Sequence, residues 1–353
     1  MLEMNVADQN TLAEGLGYLA DDLYLLHNPG TRHPESPQRL AAIHQALREF
    51  GADVRWYQIR PRKATMDELG LVHHPILVER VEWAAKRAPA YLDFDTPVSA
   101  ESFETALYAA GGVLECVDAL CSGKLRRVIA FVRPPGHHAS RESARGFCLF
   151  NNVALAAVYA RKKYKLERIA IVDFDVHHGD GTQACFYRVP EVLYLSTHQF
   201  PFYPGTGDFD EVGEAEGKGY TLNFPLPEGT PDACIAPLYS KVVSHVLDQY
   251  QPQLILVSAG FDGYFKDPVG GLSLTQAGYA SASASLMLSA DRLCQGKICF
   301  VLEGGYSLQG LKDCSSAVMV KMEQQRPLEL SVRESAAFKE VSRKAAKFSL
   351  WKW

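Results

Sequence analysis

Hydrophobic residues follow two alternating patterns along this chain. Short runs rich in β-branched residues predict strands at 126–132, 168–175, 191–198, 253–260 and 297–305. Between these runs, apolar residues recur at spacings of three and four, which predicts helices near 101–121, 150–163, 231–250 and 275–292. Such alternation of strands and helices is typical of an α/β protein with a parallel sheet covered on both faces.

The pattern predicts a single domain over residues 1–353, because no internal repeat, low-complexity segment or linker interrupts it. With 353 residues, 47% of them hydrophobic, the chain can bury one large core. Residues 325–353 are expected to add a peripheral helix, since apolar residues recur there at helical spacing opposite basic ones, namely Phe338, Val341, Ala345 and Phe348. That helix would pack on the protein's own surface or on a partner subunit; a helix lying on a membrane surface is the alternative.

Polar residues follow each of the five predicted strands. The segments are "RPPGHHA", "DVHHGDG", "STHQF", "SAGFD" and "LEGGY". In open α/β sheets, ligands bind beyond the carboxyl ends of the strands, because parallel strands all end at the same edge. We therefore expect the five segments to converge on one crevice.

Asp175 and His177 are candidate metal ligands. They stand two residues apart at a strand end, which places both side chains on the same face, and Asp262 is the best remaining acid at a strand end. Two carboxylates and one neutral imidazole cancel the charge of Zn²⁺ and leave a fourth coordination position open, as catalytic zinc sites do. The alternative is that Asp175 and Asp262 only cap the helices after their strands. The convergence of five strand ends favours the metal.

His137 and His138 are candidates for proton transfer. They follow two prolines and a glycine, a rigid turn that fixes where the rings point. Two adjacent histidines can act as a base and an acid if their surroundings separate their pKa values, and each needs a partner on its other ring nitrogen. Asp173 and Asp180, in the segment that carries the metal ligands, can be those partners.

Charge and cysteine content narrow the class of protein. A net charge of −5 gives no basic field, so nucleic-acid binding is not expected, and a small or protein-borne substrate is favoured. The eight cysteines form no CxxC pair, which suits reduced thiols in the cytoplasm. The first residues lack a signal pattern, and no apolar run approaches the roughly 18 residues of a membrane span.

The motifs as a group resemble the zinc-dependent histone deacetylase family, including its bacterial deacetylase-like and acetoin-utilisation members with class II-like motifs. The resemblance runs from residue 33 to residue 306 through "HPESPQRL", "RPPGHHA", "GFCLFNN", "VDFDVHHGDGTQ", "STHQFPFYPGTG", "SAGFDGYFKDPVGG" and "LEGGY". It implies an arginase-like, three-layer α/β/α fold with a mostly parallel, eight-stranded sheet.

The resemblance also implies a role for each matching residue. Its zinc ligands match Asp175, His177 and Asp262. Its tandem catalytic histidines match His137 and His138, paired with Asp173 and Asp180 respectively. Its substrate-binding tyrosine matches Tyr306, for which capping of the Gly-Gly turn is the alternative. A structural K⁺, bound largely by backbone carbonyls, is implied near Asp173, Asp175, His177, Ser196 and Thr197.

Further positions match the acyl-lysine channel of that family. Gly146, Phe147 and Tyr203 would form its walls, although ordinary core packing is the alternative for the two rings. Val269 stands where relatives specialised for acetylpolyamines carry a glutamate, which argues against that specialisation. Asp95 would hold a peptide backbone or a cationic substrate at the rim, or be a solvated loop acid.

The expected function is zinc-dependent removal of acyl groups from the side-chain amine of lysine in proteins or peptides. Hydrolysis of small acylated amines such as acetylpolyamines is the alternative within the same chemistry. Two other classes are a different metallohydrolase, whose arginase-type members need a second metal, and a non-catalytic module that binds acyl-lysine. Such a module would have lost Tyr306 or a metal ligand, and both are present. A homo-oligomer is left open.

Overall fold

The central feature of the computed structural model is an eight-stranded sheet; the structure describes residues 13–324 and 334–353. The strands of the described residues are β1 Leu16–Leu19, β2 Tyr57–Gln58, β3 Ala90–Tyr91, β4 Pro97–Val98, β5 Arg127–Ala130, β6 Ile169–Asp173, β7 Val192–Gln199, β8 Thr221–Leu226, β9 Leu254–Ala259 and β10 Ile298–Leu302. The sheet order is β2-β1-β5-β10-β9-β6-β7-β8, and every neighbouring pair is parallel. β3 and β4 form a separate antiparallel pair.

Helices cover both faces of this sheet. The α-helices of the described residues are α1 Pro37–Phe50, α2 Ala52–Arg55, α3 Met66–Leu69, α4 Pro75–Ala85, α5 Ser102–Cys121, α6 Asn152–Tyr164, α7 Asp180–Phe186, α8 Asp232–Pro237, α9 Ser244–Tyr250, α10 Gln276–Cys294, α11 Leu308–Glu323 and α12 Ala336–Ala345. α1, α11 and α10 pack side by side in one layer, and α5 packs on α6 in the other. Because both faces are covered, β5, β6, β9 and β10 are buried at every position and mostly apolar, rather than alternating between buried and exposed residues. The predicted α/β/α architecture is confirmed.

The five strands predicted from the sequence are neighbours in the sheet. β5, β10, β9, β6 and β7 occupy consecutive positions, and their parallel pairing brings all five carboxyl ends to one edge. The five polar segments that follow them therefore lie along the same edge.

The sequence pattern missed the strands near the margins of the sheet. β1 has four residues and β2 has two, too few for a period to show, and β8 contains Pro225. Proline is tolerated in β8 because this strand lies at the edge of the sheet. The helix predicted over 231–250 is interrupted: Pro237 ends α8, and a π-helical segment over 238–243 precedes α9.

α12 and the residues after it pack against β8 and α8. Phe338, Val341 and Ala345 are buried there, whereas Phe348 is 46% exposed. The indole of Trp351 donates a hydrogen bond to the carbonyl of Gly219, next to β8. Residues 325–333 of the predicted peripheral segment lie outside the described residues. Among the helices that the structure describes, none has the length and apolar character needed to cross a membrane.

Candidate active site

Three buried side chains meet at the carboxyl edge of the sheet. Asp175 and His177 follow β6, and Asp262 follows β9, two strands that pair directly. The Nδ1 atom of His177 lies 3.0 Å from Oδ1 of Asp175 and 3.3 Å from Oδ2 of Asp262. The three predicted zinc ligands are thus close enough to share one ion.

The surroundings of these side chains fit a cation. Oδ1 of Asp262 accepts the N–H of Val176 at 2.9 Å, but the buried Oδ2 has no hydrogen-bond partner among the described residues. Such an orphaned carboxylate oxygen is costly unless a cation meets it. Gly304 provides the space, since a Cβ there would collide with both carboxylates. Two carboxylates, one of which carries the orphaned oxygen, and one imidazole fit the donor set of a catalytic zinc site.

The pKa values of Asp262 and His177 show that the negative charge of the two carboxylates is not balanced within the cluster. Burial and the charge of Asp175 raise the pKa of Asp262 to about 7. Burial alone would lower the pKa of His177, but the two carboxylates outweigh it and raise that pKa to about 9. The pocket therefore favours one additional positive charge, supplied by a proton or by a metal.

A second group of buried donors lies nearby but fits a metal less well. It consists of His137, Cys148 and Glu303. Burial holds the pKa of the Cys148 thiol well above its usual range, so it stays protonated. The Glu303 carboxylate already accepts hydrogen bonds from the N–H groups of Gly136 and His137 and from the Ser258 hydroxyl. Glu303 therefore anchors the turn of the tandem histidines.

Each tandem histidine is bonded to one carboxylate. Nδ1 of His137 lies 3.0 Å from Oδ2 of Asp173, and Nδ1 of His138 lies 2.7 Å from Oδ1 of Asp180. The two ring centroids are 4.1 Å apart, and both rings are almost fully buried. The structure thus brings together the two predicted histidine–aspartate pairs beside the ligand cluster.

The surroundings of the two histidines separate their pKa values. Burial would lower the pKa of His137, but the charges of Asp175 and Asp173 raise it to about 10. Burial, together with His137 and His177, holds the pKa of His138 well below its usual range. A dication beside Asp175 would offset part of the effect on His137. This arrangement favours one neutral and one charged imidazole, the states required of a base and an acid.

Tyr306 faces the same cavity as the histidines and is fixed through its backbone. Its N–H donates a hydrogen bond of 2.6 Å to Oδ2 of Asp267, whose Oδ1 accepts the N–H of Val269. Asp267 thus ties the "LEGGY" turn to the "DPVGG" segment. Burial holds the pKa of the Tyr306 phenol well above its usual range, so the hydroxyl remains a hydrogen-bond donor.

A cavity of about 210 Å³ leads to this cluster. It is lined by Phe94, Asp95, Pro135, His137, His138, Gly146, Phe147, Cys148, His177, Phe202, Tyr203, Val269, Gly304 and Tyr306. Phe147 has a φ of 67°, a left-handed conformation that is costly for a phenylalanine. The Thr96 hydroxyl accepts its N–H at 3.1 Å, and Asp95 accepts the N–H of Gly146 at 3.2 Å. Loop side chains thus hold one wall of the cavity in place.

The residues expected near K⁺ lie at the end of β6, just after it, and in β7. Ser196 is opposite Asp173 in the register of β7 and β6, and both are buried. The Thr197 hydroxyl donates to the backbone carbonyl of Asp173 at 3.4 Å. The structure brings these residues together, and they remain a prediction as cation ligands.

His73 is a buried histidine that joins two segments near the site through hydrogen bonds, and it leads to a prediction about stability. Its Nε2 accepts the N–H of Asn151 and its Nδ1–H donates to the carbonyl of Ser140, which fixes a neutral ring. Burial lowers its pKa to about 4. Between pH 6.5 and 4 the unfolded chain therefore binds a proton that the folded chain does not, so stability falls as the pH falls, by about 1.4 kcal/mol per unit.

Urea unfolding measured at several pH values between 8 and 5 checks this. We expect His73→Gln to have a smaller loss of stability toward low pH than the wild type, because glutamine does not titrate. His245→Gln, at an exposed position on α9, is the matched control and should keep the wild-type slope. Equal slopes in the wild type and His73→Gln would contradict the prediction.

Several residues that support the site were missed by the sequence patterns. Buried Glu35 binds both Arg133, which precedes the histidine turn, and Arg39. Arg39 in turn donates hydrogen bonds to the backbone carbonyls of Glu303 and Gly305. The segment "HPESPQRL" was the available signal, because it places Glu35 four residues before Arg39, at the turn that leads into α1.

Comparison with known proteins identifies the protein family to which this chain belongs. Residues 33–322 match the family model of the histone deacetylase domain. The chain belongs to the histone deacetylase family. It is therefore a deacetylase, a hydrolase of amide bonds, and members of this family are generally zinc-dependent. The predictions of family, fold and deacetylase activity are confirmed.

Relatives within the family are similar over most of the chain. A probable deacetylase from Archaeoglobus fulgidus is 40% identical, covering 83% of this chain and 82% of its own. Histone deacetylase 10, chloroplastic, from Oryza sativa subsp. japonica is 38% identical, with 79% and 67% covered. The human polyamine deacetylase HDAC10 is 40% identical, but this chain spans only 43% of it. The crystal structure of the HDA15 HD domain superimposes with a TM-score of 0.89 at 34% identity, covering 96% of both chains.

Proposed function

We propose that this deacetylase removes acyl groups from lysine side chains in peptides or proteins, with zinc as its metal. One observation carries the proposal: the buried ligand set and the two histidine–aspartate pairs reach one narrow cavity with aromatic walls through their histidines, and Tyr306 lines the same cavity. An extended aliphatic stem with an amide at its end fits such a cavity.

The residues of the chain would divide the chemistry among them. Zinc held by Asp175, His177 and Asp262 supplies Lewis acidity toward the amide carbonyl. His138, kept neutral by burial, accepts a proton from the attacking water, and His137, charged beside its carboxylates, donates one to the leaving amine. The Tyr306 hydroxyl donates a hydrogen bond to the carbonyl oxygen as negative charge develops there.

Aromatic and rim residues would bind the rest of the substrate. Phe147 and Tyr203 hold the lysine stem between their rings, with Gly146 leaving space beside His138. Asp95 at the rim accepts a hydrogen bond from the peptide backbone. Assays of zinc-loaded protein with acyl-lysine peptides of several acyl lengths and with acetylpolyamines test the proposal, and hydrolysis of none of the peptides would contradict it.

Metal removal should abolish the activity. Because three buried candidate ligands lie together and one of them, Asp262, carries an oxygen without a hydrogen-bond partner, we expect one tightly bound zinc per chain, measured by metal analysis. Mild chelation should remove both the metal and turnover, and added zinc should restore them. Hydroxamates, which chelate zinc, should inhibit. Full activity in a metal-free preparation would refute this prediction.

Val269 should direct the enzyme toward peptides rather than acetylpolyamines. It lines the cavity and offers no carboxylate to a second ammonium group. We expect Val269→Glu to shift the ratio of kcat/KM toward acetylpolyamine by roughly 1–3 kcal/mol, the size of one charge-assisted contact. Val269→Gln is the matched uncharged control. A wild-type preference for polyamine would instead assign the choice to other rim acids such as Asp95.

Further assignments complete the proposal. K⁺ would bind near Asp173, Asp175, His177, Ser196 and Thr197, and the chain would act as a single catalytic domain.

We propose the cytoplasm as its location: all eight cysteines are free, as in a reducing compartment, although the rice relative is named chloroplastic. Acylated peptides or amines, rather than nucleic acids, are the proposed partners.

A further inference from the structure

The two histidine–aspartate pairs differ at their outer ends. Asp173 is fully buried, and its Oδ2 also accepts the hydroxyl of Tyr194 at 3.2 Å, a neutral partner. Asp180 binds His138 through Oδ1, while its Oδ2 forms an ion pair with the Arg145 guanidinium. The Asp180 carboxylate thus lies between an imidazole and a permanent cation.

Arg145 lies against the Asp180 carboxylate, and it is absent from the residues that line the substrate cavity. Its side chain is 39% exposed, whereas that of Asp180 is 7% exposed. Both residues line a separate surface cavity of about 720 Å³, together with Gln183, Thr206 and Arg188 among others. Without the guanidinium, water from that cavity would reach the outer oxygen of Asp180.

The backbone of Arg145 belongs to the turn that forms the cavity wall. Its carbonyl accepts the N–H of Cys148 at 3.0 Å, closing a turn that carries Gly146 and Phe147. Gly146 lies directly on the His138 ring, since a Cβ there would approach its Cδ2 to 2.5 Å. The backbone of this turn therefore contacts the His138 ring, and the Arg145 side chain of the same turn holds Asp180, the carboxylate partner of that ring.

We propose that Arg145 is a positioning residue for His138. Its guanidinium fixes the Asp180 carboxylate by a charge-assisted contact, and the carboxylate fixes the orientation of the imidazole. This inference rests on the proposed function. Loss of Arg145 leaves the metal ligands and the His137–Asp173 pair unchanged. It lets the Asp180 carboxylate rotate and bind water.

Kinetics of matched variants test the proposal. For Arg145→Met we expect kcat to fall about tenfold with little change in KM, as for other partners that orient a group at the reaction centre. Arg145→Lys should recover part of the loss. Arg188→Met, which removes an exposed arginine beside the same surface cavity, is the control and should match the wild type. Zinc content is measured for every variant.

A double-mutant cycle shows whether Arg145 acts through Asp180. In the Asp180→Asn background, Arg145→Met should have no further effect on kcat, because the carboxylate it orients is gone. An equal loss in both backgrounds, an effect confined to KM, or wild-type kinetics in Arg145→Met would each overturn the proposal.

A measurement independent of turnover separates this proposal from the proposed function. The Nδ1–H proton of His138, which faces Asp180, should give a downfield NMR signal that Asp180→Asn should remove. In Arg145→Met this signal should broaden through solvent exchange, while in Arg188→Met it should persist. An unchanged signal would overturn the role of Arg145. A wild type that hydrolyses no acyl-lysine peptide would contradict the proposed function alone.

Discussion

Replacing Asp262 by alanine should empty the metal site and abolish deacetylation. The change removes one of three ligands and one of the two negative charges that balance the dication. We expect metal affinity and turnover each to fall by more than about 100-fold, beyond the loss typical of a residue that only orients a ligand. Zinc titration with a competing chelator measures the first and peptide deacetylation the second.

Two further variants make the Asp262 result specific. Asp262→Asn keeps the shape of the side chain and an oxygen for the N–H of Val176, so its effect isolates the lost charge. Asp210→Ala removes an exposed carboxylate and should change neither quantity. Stoichiometric, tightly bound zinc in Asp262→Ala would show that this residue is not a ligand.

Replacing Tyr306 by phenylalanine should impair turnover in a different way. It removes the hydroxyl that meets the developing negative charge on the carbonyl oxygen but leaves the ligands and their charges unchanged. The loss of one such donor costs about 10²–10³ in kcat, or roughly 3–4 kcal/mol. Zinc content should stay at one per chain, and KM should change less than kcat.

The packing around Tyr306 makes phenylalanine a conservative replacement. The ring lies 5.7 Å from the Phe147 ring, and the Arg39 guanidinium lies over it at 4.9 Å, contacts that do not need the hydroxyl. Folding should therefore be preserved, and thermal unfolding checks this. Near-normal turnover in Tyr306→Phe would mean that the metal or a histidine alone stabilises the oxyanion.

Sequence patterns predicted the centre of the site because its residues follow buried, mostly apolar strands. The positions of Asp175 and Asp262 can be read from such strands, and parallel pairing is enough to bring them together. Asp267 and Glu303 act through backbone N–H groups of other segments, and these contacts leave no local pattern. Arg145 lies in a loop and pairs with Asp180 at the start of α7, 35 residues further along the chain, so only the folded chain reveals the ion pair.

Parts of the fold were also missed because they depend on contacts between distant segments, which leave no local sequence pattern. β2 and β1 are too short for periodicity, and their strand character comes from pairing with neighbours. The break between α8 and α9 could have been predicted from Pro237, which cannot continue the backbone hydrogen-bonding of a helix.

The strand order also determines when the site can form during synthesis. β5 lies beside β10, with Arg127 opposite Ile298, so the centre of the sheet closes only after most of the chain has emerged. The nascent protein presents Asp175 and His177 well before Asp262 and Tyr306, together with apolar strands that lack partners. Parallel pairing over such sequence distances is slow and exposes the chain to aggregation. Slower synthesis at low temperature should therefore raise the soluble yield of this deacetylase more than added zinc does, since the three ligands are not all present until β9 and Asp262 have been made.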